Sequence, residues 1–335
     1  MTGRRFSERV RARLSAAEPP LFALVGDPLR AIARLLPDED RFRVRLACRT
    51  LRDHAEAMAA PIGRTAFLRT RSLAAYACEA LPDFVLADKV RMLALAAKVG
   101  CVAVLAELVD ARGCGAGHYG RGDACYLAAS HGHLEALVWL RGRGFEWSTF
   151  LCDAAAEGGH LEVLRYAHEH GCPWDGACMW AAGGGHLEAL RYAHEHGCPW
   201  NASTCSFAAQ GGDLEALRYA HELGCPWDAS TCWQAARYGH LEMLRYAHER
   251  GCPWDWETCA FAARAGHLEV LRYLHEHGCP WDERTCALAA DGGHLEVLRY
   301  AHEHDCPWDE ATCAYAAGRG HLEVLRYARE RGCPG

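Results

Sequence analysis

Histidine and cysteine recur together in this chain. His168, His170 and Cys172 form one short cluster, and His275, His277 and Cys279 repeat it. Imidazole and thiolate are zinc ligands, so the pattern invites a metal site. A tetrahedral site needs four ligands converging at ~2.0–2.3 Å, usually from two separated pairs. Here the same group ends the same segment in copy after copy, where a helix C-terminus favours a side chain able to carry positive charge. On that reading no metal and no other cofactor is expected. The paired cysteines, such as Cys252 and Cys259, raise the question of disulfides. Equivalent cysteines of stacked helical units should stand one helix spacing apart, ~8–10 Å, beyond the ~7 Å Cα separation that a disulfide tolerates. Small buried thiols are the better account. Gly183-Gly184-Gly185 lacks a following Lys-Ser/Thr and any preceding strand, so it does not cradle phosphate. Glu162 with Arg165, and Glu269 with Arg272, are i,i+3 ion pairs of a solvated helix face, about 0.2–0.5 kcal/mol each. No nucleophile–base set emerges, no residue is expected to be catalytic, and the chain is not read as an enzyme.

The elements that carry these residues follow from an internal repeat, which decides the architecture. The sequence G-H-L-E-x-L recurs with its histidine at His133, His160, His186, His240, His267, His294 and His321, and Asp213 replaces histidine in one copy. The period is 27 residues, with one interval of 26. A weaker copy lies at 99–105, and 114–122 reads as a short insertion. Each unit parses into two short helices. In the unit that begins at Cys279, Asp282 is a natural N-cap, since its carboxylate accepts an orphan N–H of the first turn. Gly292-Gly293 breaks that helix, and a second runs from about His294 to His304. Leu295, Leu298, Ala301 and His302 then share one face. Gly171, Gly197 and Gly278 suit the left-handed position that ends a helix. One hairpin cannot bury its apolar face alone, so neighbours must stack. Trp174, Trp200, Trp227, Trp254, Trp281 and Trp308, kept in copy after copy, read as a turn-anchoring ladder.

Composition agrees. The 335 residues are 50% apolar, and the formal charge of −7 leaves no basic footprint for nucleic acid. The first sixty residues carry twelve arginines against eight acidic residues, and Lys89 and Lys98 are the only lysines. No stretch approaches the ~20 apolar residues that span a bilayer. The start lacks an apolar signal region; a basic tail and an Arg-rich transit peptide both fit it, with Glu8 against the latter. Nineteen cysteines in a long chain without a signal point to a reducing, cytoplasmic compartment.

The motif T-C-x-x-A-A-x-x-G-H-L-E-V-L resembles the core of the ankyrin repeat, whose unit is about 33 residues. Thr285, Ala289, Ala290, Gly293, His294, Leu295, Val297 and Leu298 carry the match. The resemblance covers roughly 123–335 and implies an all-α, ankyrin-like helical-hairpin solenoid that binds protein. The segment before the threonine is shorter than in the family, so the projecting β-hairpins should shrink to tight turns. Residues 21–56 differ in texture and resemble the F-box, a helical module that docks onto the Skp-type adaptor of cullin–RING ubiquitin ligases. Leu24, Asp27, Ile32, Leu36, Pro37, Phe42, Leu46 and Cys48 match, while Val25 and Leu51 stand where that family prefers Pro and Trp. A plain helical cap on the first repeat also fits this segment. The combination resembles F-box/ankyrin proteins of large DNA viruses of protists, a resemblance that would imply a host cell's cytoplasm. The expected layout is a basic tail over 1–20, the F-box-like module over 21–56, a helical bridge of degenerate repeats over 57–122, and ankyrin-like repeats over 123–335.

Positions that every copy keeps are explained by stacking; positions that change are free for recognition. Met179, Trp233, Arg237, Tyr238, Trp256 and Arg264 vary between copies and fall on the first helices, which line the concave face of ankyrin-like arrays. Trp, Tyr and Arg are the residue types enriched at interface hot spots. Drift on a solvated face would give the same variation. The expected partners are a protein target and a Skp-type adaptor, with neither nucleic acid nor membrane, and the chain is expected to act as a monomer.

Overall fold

The computed structural model describes residues 86–106, 108–109 and 123–334. The F-box-like segment 21–56 and the proposed insertion 114–122 lie outside the described residues. Two compact units divide the chain, Met1–Leu151 and Cys152–Gly335. Every regular element among the described residues is helical and none is a strand, as the shortened turns imply. None of these helices is long and apolar enough to cross a membrane.

In the first unit, α1 (Leu86–Val99) and α2 (Val102–Ala106) form one hairpin, and α3 (Asp123–Ser130) and α4 (Leu134–Gly142) form the next. The expected bridge is helical over these residues, and it is not one continuous helix. Instead the chain turns at Gly100, whose φ of 74° is left-handed. The weak copy at 99–105 is therefore a working hairpin, and α1 packs on α3 as α2 packs on α4.

The second unit contains α5 (Leu151–Glu157), α6 (Leu161–Glu169), α7 (Ala177–Gly183), α8 (Leu187–Glu195), α9 (Ala202–Gly211) and α10 (Leu214–Glu222). It continues through α11 (Ala229–Tyr238), α12 (Leu241–Glu249), α13 (Trp256–Ala265), α14 (Leu268–Glu276), α15 (Glu283–Gly292), α16 (Leu295–Glu303), α17 (Glu310–Arg319) and α18 (Leu322–Glu330). Odd-numbered helices are the first helices of each hairpin. From α7 to α17 they pack closely on one another in sequence, while the second helices of these hairpins stand further apart. The alanine pair of each first helix explains this, since Ala262, Ala263, Ala289 and Ala290 are completely buried and let the helices approach. Leu190, Leu217, Leu244, Leu271 and Leu298 fill the space behind them. Burial of a leucine of this kind contributes about 1.5–3 kcal/mol.

Caps fix the hairpin ends. Asp228, Asp255, Asp282 and Asp309 each accept a backbone N–H two residues on, and Asn201 does the same. Thr204 and Thr258 close capping boxes onto the cap residue's own N–H, while Thr231, Thr285 and Thr312 are buried at the same place without that bond. The unit with the 26-residue spacing departs from this. Helix α7 has 7 residues, and its cap position is Gly176, with no side-chain bond. Asp153 of α5 reaches across the hairpin boundary to the Gly176 N–H, the cap-residue N–H that Thr204 and Thr258 hold in their own units.

Cysteines close the hairpins. The thiols of Cys225, Cys252, Cys279, Cys306 and Cys333 donate to the carbonyls of Asn201, Asp228, Asp255, Asp282 and Asp309 at 3.2–3.4 Å. Comparing equivalent cysteines missed the real neighbours. Cys178 lies against Cys198, and Cys259 against Cys279, each twenty residues on. Every cysteine among the described residues is a free thiol. A hydrogen bond donated to the neighbouring cysteine, then burial, pushes the Cys152 and Cys286 thiols far up, so they stay neutral.

Candidate functional site

Two ladders of polar and aromatic side chains run between hairpins, and both absorb residues that had invited chemistry. The imidazole of His168 stacks on Trp174 at 3.6 Å, and the pattern recurs through His194–Trp200, His221–Trp227, His248–Trp254, His275–Trp281 and His302–Trp308 at 3.6–4.2 Å. The tyrosine of the next hairpin meets each stack edge-on, and Tyr192, Tyr273 and Tyr300 hydrogen-bond His168, His248 and His275 at 3.0–3.2 Å. Arg245 and Arg272 lie over Tyr273 and Tyr300 as well as pairing with their own glutamates. These histidines are thus packed between rings rather than simply placed at a helix end; only the second of each pair, such as His277, donates to the final-turn carbonyl of Tyr273. Burial holds His168, His221, His248 and His275 below the ordinary imidazole range.

The second ladder uses the histidine of G-H-L-E. Nε2 of His267 donates to the Arg237 carbonyl at 3.1 Å, and Nε2 of His321 to that of Asp291 at 3.1 Å. His133 makes the same bond to Lys98 in the first unit, at 3.0 Å. Asp213 gives up this link and instead caps its own helix, accepting from Ala216 N at 3.0 Å. Among the described residues no group of three or more His, Cys, Asp or Glu side chains is arranged to hold a metal ion.

What remains for recognition lies on the solvent side of the first helices. Trp233, Arg237 and Tyr238 stand on α11, and Trp256 and Arg264 on α13. The structure brings Trp233 to 5.1 Å from Phe261, with the Arg237 guanidinium 5.7 Å from the same ring and 5.8 Å from Tyr238. Tyr238 is 43% exposed, so this cluster opens to solvent. Arg264 is committed elsewhere: it meets Asp291 at 3.1 Å, and Arg319 meets the same carboxylate at 2.7 Å. The two arginines hold Asp291 below the usual carboxylate range and tie three hairpins together. Trp256 sits at the other end of α13, capped by the Arg284 guanidinium at 4.0 Å. Met179 lies on α7, with α9 between it and α11. Phe261, Leu288 and Tyr315 belong to this surface and were missed. The signal was the second position after the motif cysteine, which reads Trp180, Phe207, Gln234, Phe261, Leu288 and Tyr315 along the chain.

The family model described as ankyrin repeats (many copies) matches residues 177–221 and 232–275. Among solved structures, the crystal structure of the human ASB11 ankyrin repeat domain is similar at 17% identity and a TM-score of 0.40, over 47% of this chain and 84% of that one. No curated protein sequence matches the chain. The chain carries ankyrin repeats over residues 177–221 and 232–275, within hairpins that continue beyond both segments.

Proposed function

We propose that this chain is a protein–protein interaction scaffold that holds a target on its first-helix row and presents it to a Skp-type adaptor of a cullin–RING ubiquitin ligase. The observation that carries the scaffold reading is the division of labour within each hairpin. Residues that the copies share stack, cap and staple, whereas Trp233, Arg237, Tyr238 and Phe261 differ between copies and gather on one solvent-facing surface. Rigid aromatic and arginine side chains of this kind dominate interface energetics.

The adaptor half of the proposal rests on the sequence of 21–56, where Leu24, Asp27, Ile32, Leu36, Pro37, Phe42, Leu46 and Cys48 fit the F-box pattern. Chemistry would belong to the ligase partners. The experiment is copurification of the full chain with a Skp-type adaptor, against a variant carrying Leu36→Asp and Phe42→Asp. Adaptor capture by the parent and loss in the variant, with unchanged helicity, supports recruitment. Equal behaviour of the two chains leaves a plain ankyrin scaffold without a ubiquitin role.

A further inference from the structure

A groove of about 330 Å³ opens on the first-helix row between α13, α15 and α17. Its apolar walls come from Trp256, Phe261, Leu288 and Tyr315, and the carboxylates of Glu257, Glu283 and Asp309 also line it. Asp309 is engaged as the cap of α17, accepting from Ala311 N at 3.0 Å. Glu257 and Glu283 enter no ion pair among the described residues. The one base in the lining, Arg284, is already satisfied, with Asp282 at 3.7 Å and the Trp256 ring at 4.0 Å. The volume stands at the small end for ligand sites, room for one long side chain. Acidic groups beside aromatic faces form a receptor for a cation on an apolar stem, because the rings attract the charge and the stem covers apolar surface.

We propose that this groove receives an arginine or lysine side chain from an extended segment of the partner protein, its charge between Glu257 and Glu283 and its stem against Leu288 and Tyr315. The proposal rests on the scaffold reading above and names the chemistry that the scaffold selects. The contact of Arg284 with Trp256 is the intramolecular counterpart of the same recognition, and it covers one face of the ring. Arg284 thus opposes an incoming cation twice, by like charge and by occupying Trp256. Were the groove built for an acidic partner, Arg284 would be its anchor, and removing it would have the opposite effect.

The test selects binders from a random displayed peptide library with the full chain as bait, then titrates one selected peptide, labelled with a fluorophore, against variants checked for unchanged melting. Selected peptides should share an arginine or lysine, and its replacement by glutamine should weaken binding by about tenfold or more, the scale of one lost charge-assisted contact. Glu257→Gln with Glu283→Gln should do the same, and Arg284→Ala should strengthen binding severalfold. Selection of acidic peptides that need Arg284, or of peptides indifferent to the Glu257 and Glu283 changes, overturns the proposal and leaves the scaffold reading intact. Failure to select any peptide, joined to the absence of a protein target for the full chain, overturns both.

Discussion

Glycine and histidine form the smallest repeated unit of this protein, and their pairing makes a prediction that separates two costs. Gly266 and Gly278 both have left-handed backbones, with φ of 81° and 76°. An alanine in that region costs about 1–2 kcal/mol. At Gly278 a Cβ would meet nothing within 4 Å, whereas at Gly266 it would lie 2.5 Å from Nδ1 of His294 in the next hairpin. Gly278→Ala should therefore cost only the backbone term, and Gly266→Ala should cost about 1–3 kcal/mol more, the usual penalty for overpacking. In a His294→Ala background the two alanine changes should become equal, because neighbouring effects of this kind do not add. Urea unfolding of the four variants measures this, and equal costs in the parent background would show that the imidazole is not seated on the glycine. The glycine and histidine were legible in sequence as a repeat. The bond from His267 to the Arg237 carbonyl was not, because it spans thirty residues and joins different hairpins.

A helix in this array is only as firm as its first turn. Asp255 caps α13 with a side-chain bond and a capping box, while α7 begins at Gly176 without one and depends on Asp153 from α5. Loss of an aspartate cap costs about 0.5–2 kcal/mol, so Asp255→Ala should lower stability by that amount. Local opening follows local stability, so amides of Ala177–Gly183 should exchange with solvent faster than those of Trp256–Ala265. Comparable protection of the two helices would mean that Asp153 substitutes fully for the missing cap. The caps themselves were readable, since Asp282 stands at the expected place ahead of Thr285 and Cys286. The stand-in at Asp153 was not, because nothing in the linear sequence joins residue 153 to residue 176. The same limit applies to the candidate site: the variable positions marked Trp233, Arg237 and Tyr238, but only the close packing of α11 on α13 brings Phe261 to them.

Stacking multiplies whatever each interface contributes, because stability in a linear array is close to a sum over units and their contacts. The His–Trp–Tyr ladder should therefore give the second unit a cumulative response to acid. His168, His221, His248 and His275 are held below the ordinary imidazole range, chiefly by burial and then by a neighbouring His196, Arg250, His277 or His304. A base with a depressed folded value binds more protons when unfolded. Stability is then complete above the unfolded value of about 6.5 and falls as pH drops through it towards the folded value. Asp153 has the opposite sign. Burial raises its carboxyl to about 6, against the N–H of Gly176, which lowers it, and with Asp175 adding to the rise. The folded chain therefore binds the extra proton, and the cost present above that value is relieved as pH falls towards the unfolded value of about 3.9. Between about pH 6.5 and 5 the two contributions oppose. The melting temperature of the parent should fall on acidification, and it should fall more steeply in Asp153→Asn, where the opposing contribution is gone. Replacing His248 and His275 by glutamine should flatten the slope while lowering stability at neutral pH, since the stacked rings are lost. A melting temperature that does not change over this interval in Asp153→Asn would show that the ladder accepts protonated imidazole. Its stacks would then persist with the rings charged, the Tyr273 and Tyr300 hydroxyls turning to accept from the Nδ1–H of His248 and His275.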